Sequence, residues 1–240
     1  MRQLELKLNI GSSRSAAEAI KSLRANVQFC GTDVHCIVIT SCLPGDGKST
    51  VSVGLSIALA QAGKRVLLVD ADLRKSVMLK TYTDALDVTG FSEYLSGLAP
   101  IENVKCNTQF GNLDVIFCGQ YPANPAELLS SSAFKAFIEE QKKLYDYVII
   151  DAPPLGLVVD AAVIASACDS AIMVLPAGKI RSGFANNVLK QLEKSGARVI
   201  GAVLNKQETK RSGYGGYNGY NGYKYSGRYA AKYSADYSAK

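Results

Sequence analysis

The residues of this chain best suited to chemistry are a lysine, a serine and three aspartates. The first two sit in Ser41-Cys42-Leu43-Pro44-Gly45-Asp46-Gly47-Lys48-Ser49-Thr50, which follows an apolar run and precedes a helical pattern. Gly45 and Gly47 permit backbone conformations that turn successive N–H groups inward, and the helix start adds the positive end of its dipole. Such a loop is built for phosphate oxygens. The expected nucleotide cradle is therefore Pro44, Gly45, Asp46, Gly47, Lys48, Ser49 and Thr50. Lys48 reaches the β- and γ-phosphates of ATP, and the Ser49 hydroxyl ligates Mg²⁺. Cys42 departs from the pattern, which has its first glycine there.

The aspartates end two other apolar runs, Val66-Leu67-Leu68-Val69-Asp70-Ala71-Asp72-Leu73-Arg74 and Val148-Ile149-Ile150-Asp151-Ala152-Pro153-Pro154. An apolar strand ending in Asp beside a phosphate loop is the usual Mg²⁺-holding element of P-loop nucleotide hydrolases. Three carboxylates exceed what holding the ion requires. Either Asp70 or Asp72 is left to take a proton from a nucleophile, and a phenol with a pKa near ~10 benefits from such a base. Asn205, in Val203-Leu204-Asn205-Lys206, is placed either to contact the base or simply to end a strand.

These residues need strands and helices to hold them. HCIVITS, RVLLVDAD, LDVIFCG, DYVIIDAP, SAIMVLP and RVIGAVLN read as strands. They are almost continuously apolar, as in strands covered on both faces. Residues 49–61, 126–143 and 183–194 read as helices, and 96–105 reads as helix or loop. The alternation predicts an α/β fold of the P-loop nucleotide-hydrolase type, a mostly parallel, doubly wound sheet with helices on both faces. Ligands of such sheets lie at the carboxyl ends of the strands, where the aspartates and the glycine loop fall.

The chain has 240 residues, 48% hydrophobic and 20% charged, which suits a globular core and excludes disorder throughout. The N-terminus shows no secretory pattern, and the longest apolar stretch, interrupted by Asp169, is too short for a membrane span. The six cysteines have no C-x-x-C or metal spacing and read as reduced thiols. The single histidine, His35, reads as a strand-start residue, so a Ser-His-Asp triad has no support. Asp160 reads as a helix N-cap.

Charge and composition divide the chain at residue 205. Residues 206–240 lack Leu, Ile, Val, Phe and Met, and hold seven of the basic residues against two acidic ones, for a net +5 of the chain's +6. This segment is expected to be a disordered tail. It carries eight of the thirteen tyrosines: Tyr214, Tyr217, Tyr220, Tyr223, Tyr225, Tyr229, Tyr233 and Tyr237. A coil of this length spans roughly 30–35 Å, enough to reach a neighbouring subunit.

The loop TSCLPGDGKST, the run VLLVDADLR, the run YVIIDAPP and the terminal tyrosines together resemble the bacterial tyrosine kinases, in particular the cytoplasmic catalytic subunits of Gram-positive capsule and exopolysaccharide systems. NPAELLSS and EAIKSLRANVQF resemble further segments of that family. The resemblance implies a kinase domain over residues 1–205 that autophosphorylates the tail tyrosines in trans with ATP and Mg²⁺. It implies Lys48, Asp70, Asp72 and Asp151 as catalytic residues, with Ser49, Asp72 and Asp151 on the metal side and Asp70 near the tyrosine. It implies a ring-like homo-oligomer, with an octamer among its forms, built through a helix over residues 15–30. Glu18, Lys21 and Arg24 match that helix's Glu-x-x-Arg-x-x-Arg pattern, with Lys21 where the family has Arg. The same residues read without the family are a solvated helix face. The resemblance also implies a membrane-anchored activator that meets the neighbourhood of Asp160, a cognate tyrosine phosphatase, further protein substrates, and a cytoplasmic location peripheral to the membrane. Nucleic acid is not an expected partner.

Two other readings compete. In an ATP-driven switch of the partition or division-site type the tail is an anchor, but such proteins carry a second lysine where this chain has Leu43. In a nucleotide-binding scaffold catalysis is lost and the basic, Tyr-rich tail binds nucleic acid or a membrane; the intact lysine and aspartates count against it. Phosphorylating all eight tail tyrosines would move the tail from +5 to roughly −7 to −11. Phosphorylation is therefore expected to weaken self-association, and an unchanged sedimentation coefficient after complete phosphorylation would refute this.

Overall fold

The computed structural model describes residues 2–7 and 14–207. In chain order its elements are β1 (Arg2–Leu4), α1 (Arg14–Gln28), β2 (Cys36–Ser41), α2 (Lys48–Gln61), β3 (Val66–Asp70), α3 (Met78–Tyr82), α4 (Phe91–Leu95), α5 (Ile101–Val104), β4 (Lys105–Thr108), β5 (Leu113–Ile116), α6 (Pro125–Ser130), α7 (Ser132–Leu144), β6 (Tyr147–Asp151), α8 (Asp160–Ala165), β7 (Ser170–Pro176), α9 (Ser182–Lys194) and β8 (Arg198–Asn205). The strands form one sheet in the order β1-β4-β5-β3-β6-β2-β7-β8. Every pairing is parallel except β4 with β5. The expected α/β architecture is present.

Alternation along each central strand sends side chains to two separate cores. Leu67 and Val69 of β3 join Phe91, Phe134 and Phe137 on one face. Val66 and Leu68 join Leu55 and Leu59 of α2 on the other. Residues 51–60 of α2 are all buried, so this helix is apolar all round, sandwiched between the sheet and α1. A helix so enclosed holds its first residue, Lys48, firmly at the sheet's carboxyl edge.

Four details differ from the sequence reading. Strand β8 is an edge of the sheet and exposed or half-buried, because it pairs on one side only and α9 covers it only in part. Residues 126–143 are two helices, broken at Ser131, whose hydroxyl caps α7 by accepting the Phe134 N–H at 3.2 Å. Residues 96–105 yield the short α5 and the start of β4, a strand too short and polar to stand out. Asp160 is the first residue of α8 rather than its cap, and is completely buried.

Asp160 receives a two-pronged grip from Arg74, with Nε to Oδ2 at 2.6 Å and Nη2 to Oδ1 at 3.0 Å. This fork ties the loop after β3, which carries Asp72, to α8. Asp160→Ala leaves a largely buried guanidinium without its carboxylate and is expected to cost about 3–5 kcal/mol. Replacing both partners together, as Arg74→Met with Asp160→Leu, is expected to recover most of that loss in denaturant unfolding.

Candidate active site

Sheet order and register assemble the site. Strands β3, β6 and β2 are neighbours, and Asp70 is the direct register partner of Asp151. The glycine loop leaves β2 beside them. Gly45 (φ 78°) and Gly47 (φ 101°) take left-handed conformations that a side chain would strain. Gly47 precedes α2 with no side-chain cap, so the first-turn N–H groups stay available to an anion. The Asp46 carboxylate closes the loop from within by accepting the Leu43 N–H at 2.7 Å. Burial pushes the Asp46 carboxyl up to about 6, an effect limited by that hydrogen bond and by the nearby charge of Lys206.

Lys48 Nζ lies 3.3 Å from both Asp72 Oδ2 and Asp151 Oδ2. Ser49 Oγ donates to Asp151 Oδ2 at 2.7 Å, and Ser52 Oγ donates to Asp151 Oδ1 at 2.9 Å. Asp70 sits behind this group, accepting the Ser76 hydroxyl and, at 3.3 Å, the Asp72 N–H. Burial first, and then the Asp151 charge, push the Asp70 carboxyl up to about 8. Burial also raises Asp151, against the opposing pull of Lys48, Ser49 and Ser52.

These groups face a cleft of about 550 Å³. Its walls include Pro44, Gly45, Gly47, Lys48, Ser49, Thr50, Asp72 and Asn205, all predicted from sequence. Asp46, Asp70 and Asp151 support the cleft from behind. The oxygen donors of Ser49, Asp72 and Asp151 fit Mg²⁺, a hard cation that takes oxygen ligands, and these residues would hold it. The phosphate loop and Lys48 fit a nucleoside triphosphate.

Several cleft residues were not apparent in the sequence. Tyr82 and Thr81 also line the cleft, and the Tyr82 hydroxyl meets Thr50 Oγ1 at 3.2 Å. Nothing near Tyr82 marks it, because its position depends on how the loop after β3 folds back. Ser52 had a signal, one helical turn beyond Ser49. Behind the cleft, a Cβ at Gly156 would come 2.2 Å from the Cys42 carbonyl oxygen. The phosphate loop and the loop after β6 thus pack backbone to backbone.

Glu18, Lys21 and Arg24 are not among the residues lining the cleft. Glu18 and Lys21 pair at 2.8 Å on the exposed side of α1. Arg24 turns toward α2, reaching the Ala58 carbonyl at 3.5 Å. The tail tyrosines, Tyr214 through Tyr237, lie outside the described residues; Lys206 and Gln207 are the only parts of the expected tail within them.

Residues 34–208 match a protein-family profile described as an AAA domain. The chain is 42% identical over 203 residues to the tyrosine-protein kinase CpsD of Streptococcus agalactiae, covering 85% of this chain and 89% of that protein. The kinase domain of the Escherichia coli tyrosine kinase ETK superposes with a TM-score of 0.79 at 32% identity, over 92% of this chain and 87% of that one. The septum site-determining protein MinD of Pyrococcus horikoshii, solved as a complex with Mg-ADP, superposes with a TM-score of 0.57 at 27% identity, over 71% and 70% of the two chains.

The raised Asp70 carboxyl sets a pH dependence of stability. Its folded pKa of about 8 exceeds the ordinary 3.8, so the folded protein holds a proton that the unfolded chain has lost. The contribution of Asp70 to stability therefore falls as pH rises from about 4 to about 8, and falls no further above that. Asp70→Asn removes this dependence while keeping a hydrogen-bonding group beside Ser76. It is expected to gain on the native protein by at least about 2 kcal/mol between pH 5 and pH 9. A difference in thermal unfolding that stays flat with pH would contradict this.

Proposed function

This chain belongs to the bacterial tyrosine-kinase family, and on that premise we propose how its residues carry out phosphoryl transfer. It is an ATP-dependent protein-tyrosine kinase. The main acceptors in this reading are its own Tyr214–Tyr237, presented by a neighbouring subunit. The observation that carries the reading is the convergence of Lys48, Ser49, Asp72 and Asp151 on one phosphate-loop cleft, with the proton-retaining Asp70 directly behind.

The backbone of Gly45–Ser49 and the α2 N-terminus receive the phosphates. Lys48 then exchanges its two carboxylates for phosphate oxygens and steadies the charge that spreads over them during transfer. Ser49, Asp72 and Asp151 would hold Mg²⁺, which when bound would supply positive charge to offset that of the nucleotide's phosphates. Asp70, once its own proton has left to solvent, accepts the tyrosine proton. A carboxylate engaged by a cation has little proton affinity to spare, whereas Asp70 has the affinity a base for a phenol needs. Ser76 must turn away to expose it, because its hydroxyl lies on the Asp70 carboxylate.

The same reading places the protein in a ring-like homo-oligomer, with exposed Glu18 and Lys21 of α1 as contact residues. It includes a membrane-anchored activator, a cognate phosphatase and control of capsular or exopolysaccharide synthesis. Among the described residues no helix is long and apolar enough to cross a membrane. Leu43, in place of a second loop lysine, separates this chain from the partition-type switches that share its fold.

Intact-mass spectrometry with Mg-ATP tests the reading. The full chain, with an activator's cytoplasmic segment if needed, is expected to show a ladder of phosphate additions mapping to Tyr214–Tyr237. Lys48→Met should abolish it, and deletion of 208–240 should keep nucleotide binding while removing most of the phosphate. Equal incorporation by the shortened chain would show that the tail is not the main substrate.

A further inference from the structure

Phosphate loops turn their N–H groups inward, and their carbonyls consequently point outward. In this protein two successive outward carbonyls, those of Gly45 and Asp46, receive donors from two successive residues at the end of β8. Asn205 Nδ2 donates to the Asp46 carbonyl at 2.9 Å, and Lys206 Nζ donates to the Gly45 carbonyl. The contact is close enough to dictate the residue beneath it. A Cβ at Gly47 would lie 1.9 Å from Asn205 Nδ2, so the amide occupies the space a side chain would take.

The backbone of Lys206 points to the same role. Among the described residues it is the only non-glycine with positive φ, at 56°. A lysine in the left-handed region is held there against its preference. The conformation brings the ammonium back over the loop. The loop's own contacts leave this outer side open: Asp46 Oδ2 bonds Leu43, and Ser41 Oγ bonds the Leu43 carbonyl, both away from the Gly45 and Asp46 carbonyls.

We propose that Asn205 and Lys206, which also line the cleft, are positioning residues that clamp the phosphate loop through its outward carbonyls, fixing its inward N–H groups for the nucleotide's phosphates. Asn205 then acts through the loop backbone rather than by reading the base. The inference rests on the nucleotide-binding part of the proposed function and is independent of which tyrosines are phosphorylated.

Titration calorimetry of the full-length protein with Mg-ATP, Mg-ADP and Mg-GTP provides the test, alongside thermal unfolding and steady-state phosphorylation. Lys206→Met and Asn205→Ala are each expected to raise the Kd for ATP and ADP by roughly five- to twenty-fold, the loss of one hydrogen bond to a phosphate-cradling backbone. The KM for ATP should rise with it, while kcat changes by less than about two-fold, because neither residue touches the transferred group. The preference for ATP over GTP should stay constant, and Lys206→Arg should restore affinity. Lys206→Gly is the decisive variant. It relieves the left-handed backbone and should unfold no earlier than the native protein, yet it should bind ATP as weakly as Lys206→Met. Native affinity in both Lys206→Gly and Lys206→Met would overturn the clamp. A changed ATP-to-GTP preference in Asn205→Ala would also overturn it, by returning that residue to base recognition. Failure of the native protein to bind any nucleotide would instead refute the proposed function.

Discussion

Lys48 Nζ stands 3.3 Å from both Asp72 and Asp151; the two carboxylates are buried and the lysine is largely so. A charge cluster of this kind is stable only if its surroundings hold every member in place. That requirement accounts for much of what surrounds it. The wholly buried α2 fixes the lysine, Ser49 and Ser52 satisfy both oxygens of Asp151, and Ser76 covers Asp70. The carboxylates still outnumber the ammonium, and Asp70 relieves the imbalance by keeping its proton. A phosphate group arriving at Lys48 would take over the cation, and a divalent ion would take over the carboxylates. The cluster stores, in protein–protein contacts, the interactions that substrate and metal would replace.

The Asp72 side of this cluster depends on a loop, and loops need anchoring. The Arg74–Asp160 fork supplies the anchor, joining residues 86 apart in sequence at one buried point. Gly156, in the loop after β6, meets the Cys42 carbonyl with no space for a methyl group. The two contacts bring the loops after β2, β3 and β6 into one unit. The carboxylates and the phosphate loop therefore keep a common geometry although they come from three different strands.

Parts of this arrangement were legible in the sequence because they follow from local rules. The inner strands announce themselves as apolar runs, since helices cover both faces. Pro44–Thr50 and the two Asp-ending strands mark the carboxyl edge, and the structure puts them together there. Other parts depend on distant partners and leave no local pattern. Asp160 looks like a cap because Asp often starts helices, and only the fold shows its buried arginine. Strand β4 has the composition of a loop and becomes a strand by pairing antiparallel with β5. Strand β8 is as apolar as its neighbours, yet it is the exposed edge, because position in a sheet is a global property. Tyr82 reaches the cleft through the path of its loop. The break at Ser131 was readable, since a serine before an amphipathic run is a recognised helix start.

The exposed edge position of β8 has a consequence for how the molecule responds to heat. An edge strand is hydrogen-bonded on one side only and opens at a lower free energy than strands in the middle of a sheet. The strands that carry Asp70 and Asp151, and the one that leads into the phosphate loop, are central and paired on both sides. Asn205, which holds the loop through an outward carbonyl, ends the edge strand. On warming, amide protons of β8 should exchange well before those of β2, β3 and β6. The grip on phosphate would then slacken while the carboxylate cluster is still intact, so nucleotide would be lost below the temperature at which the sheet itself melts.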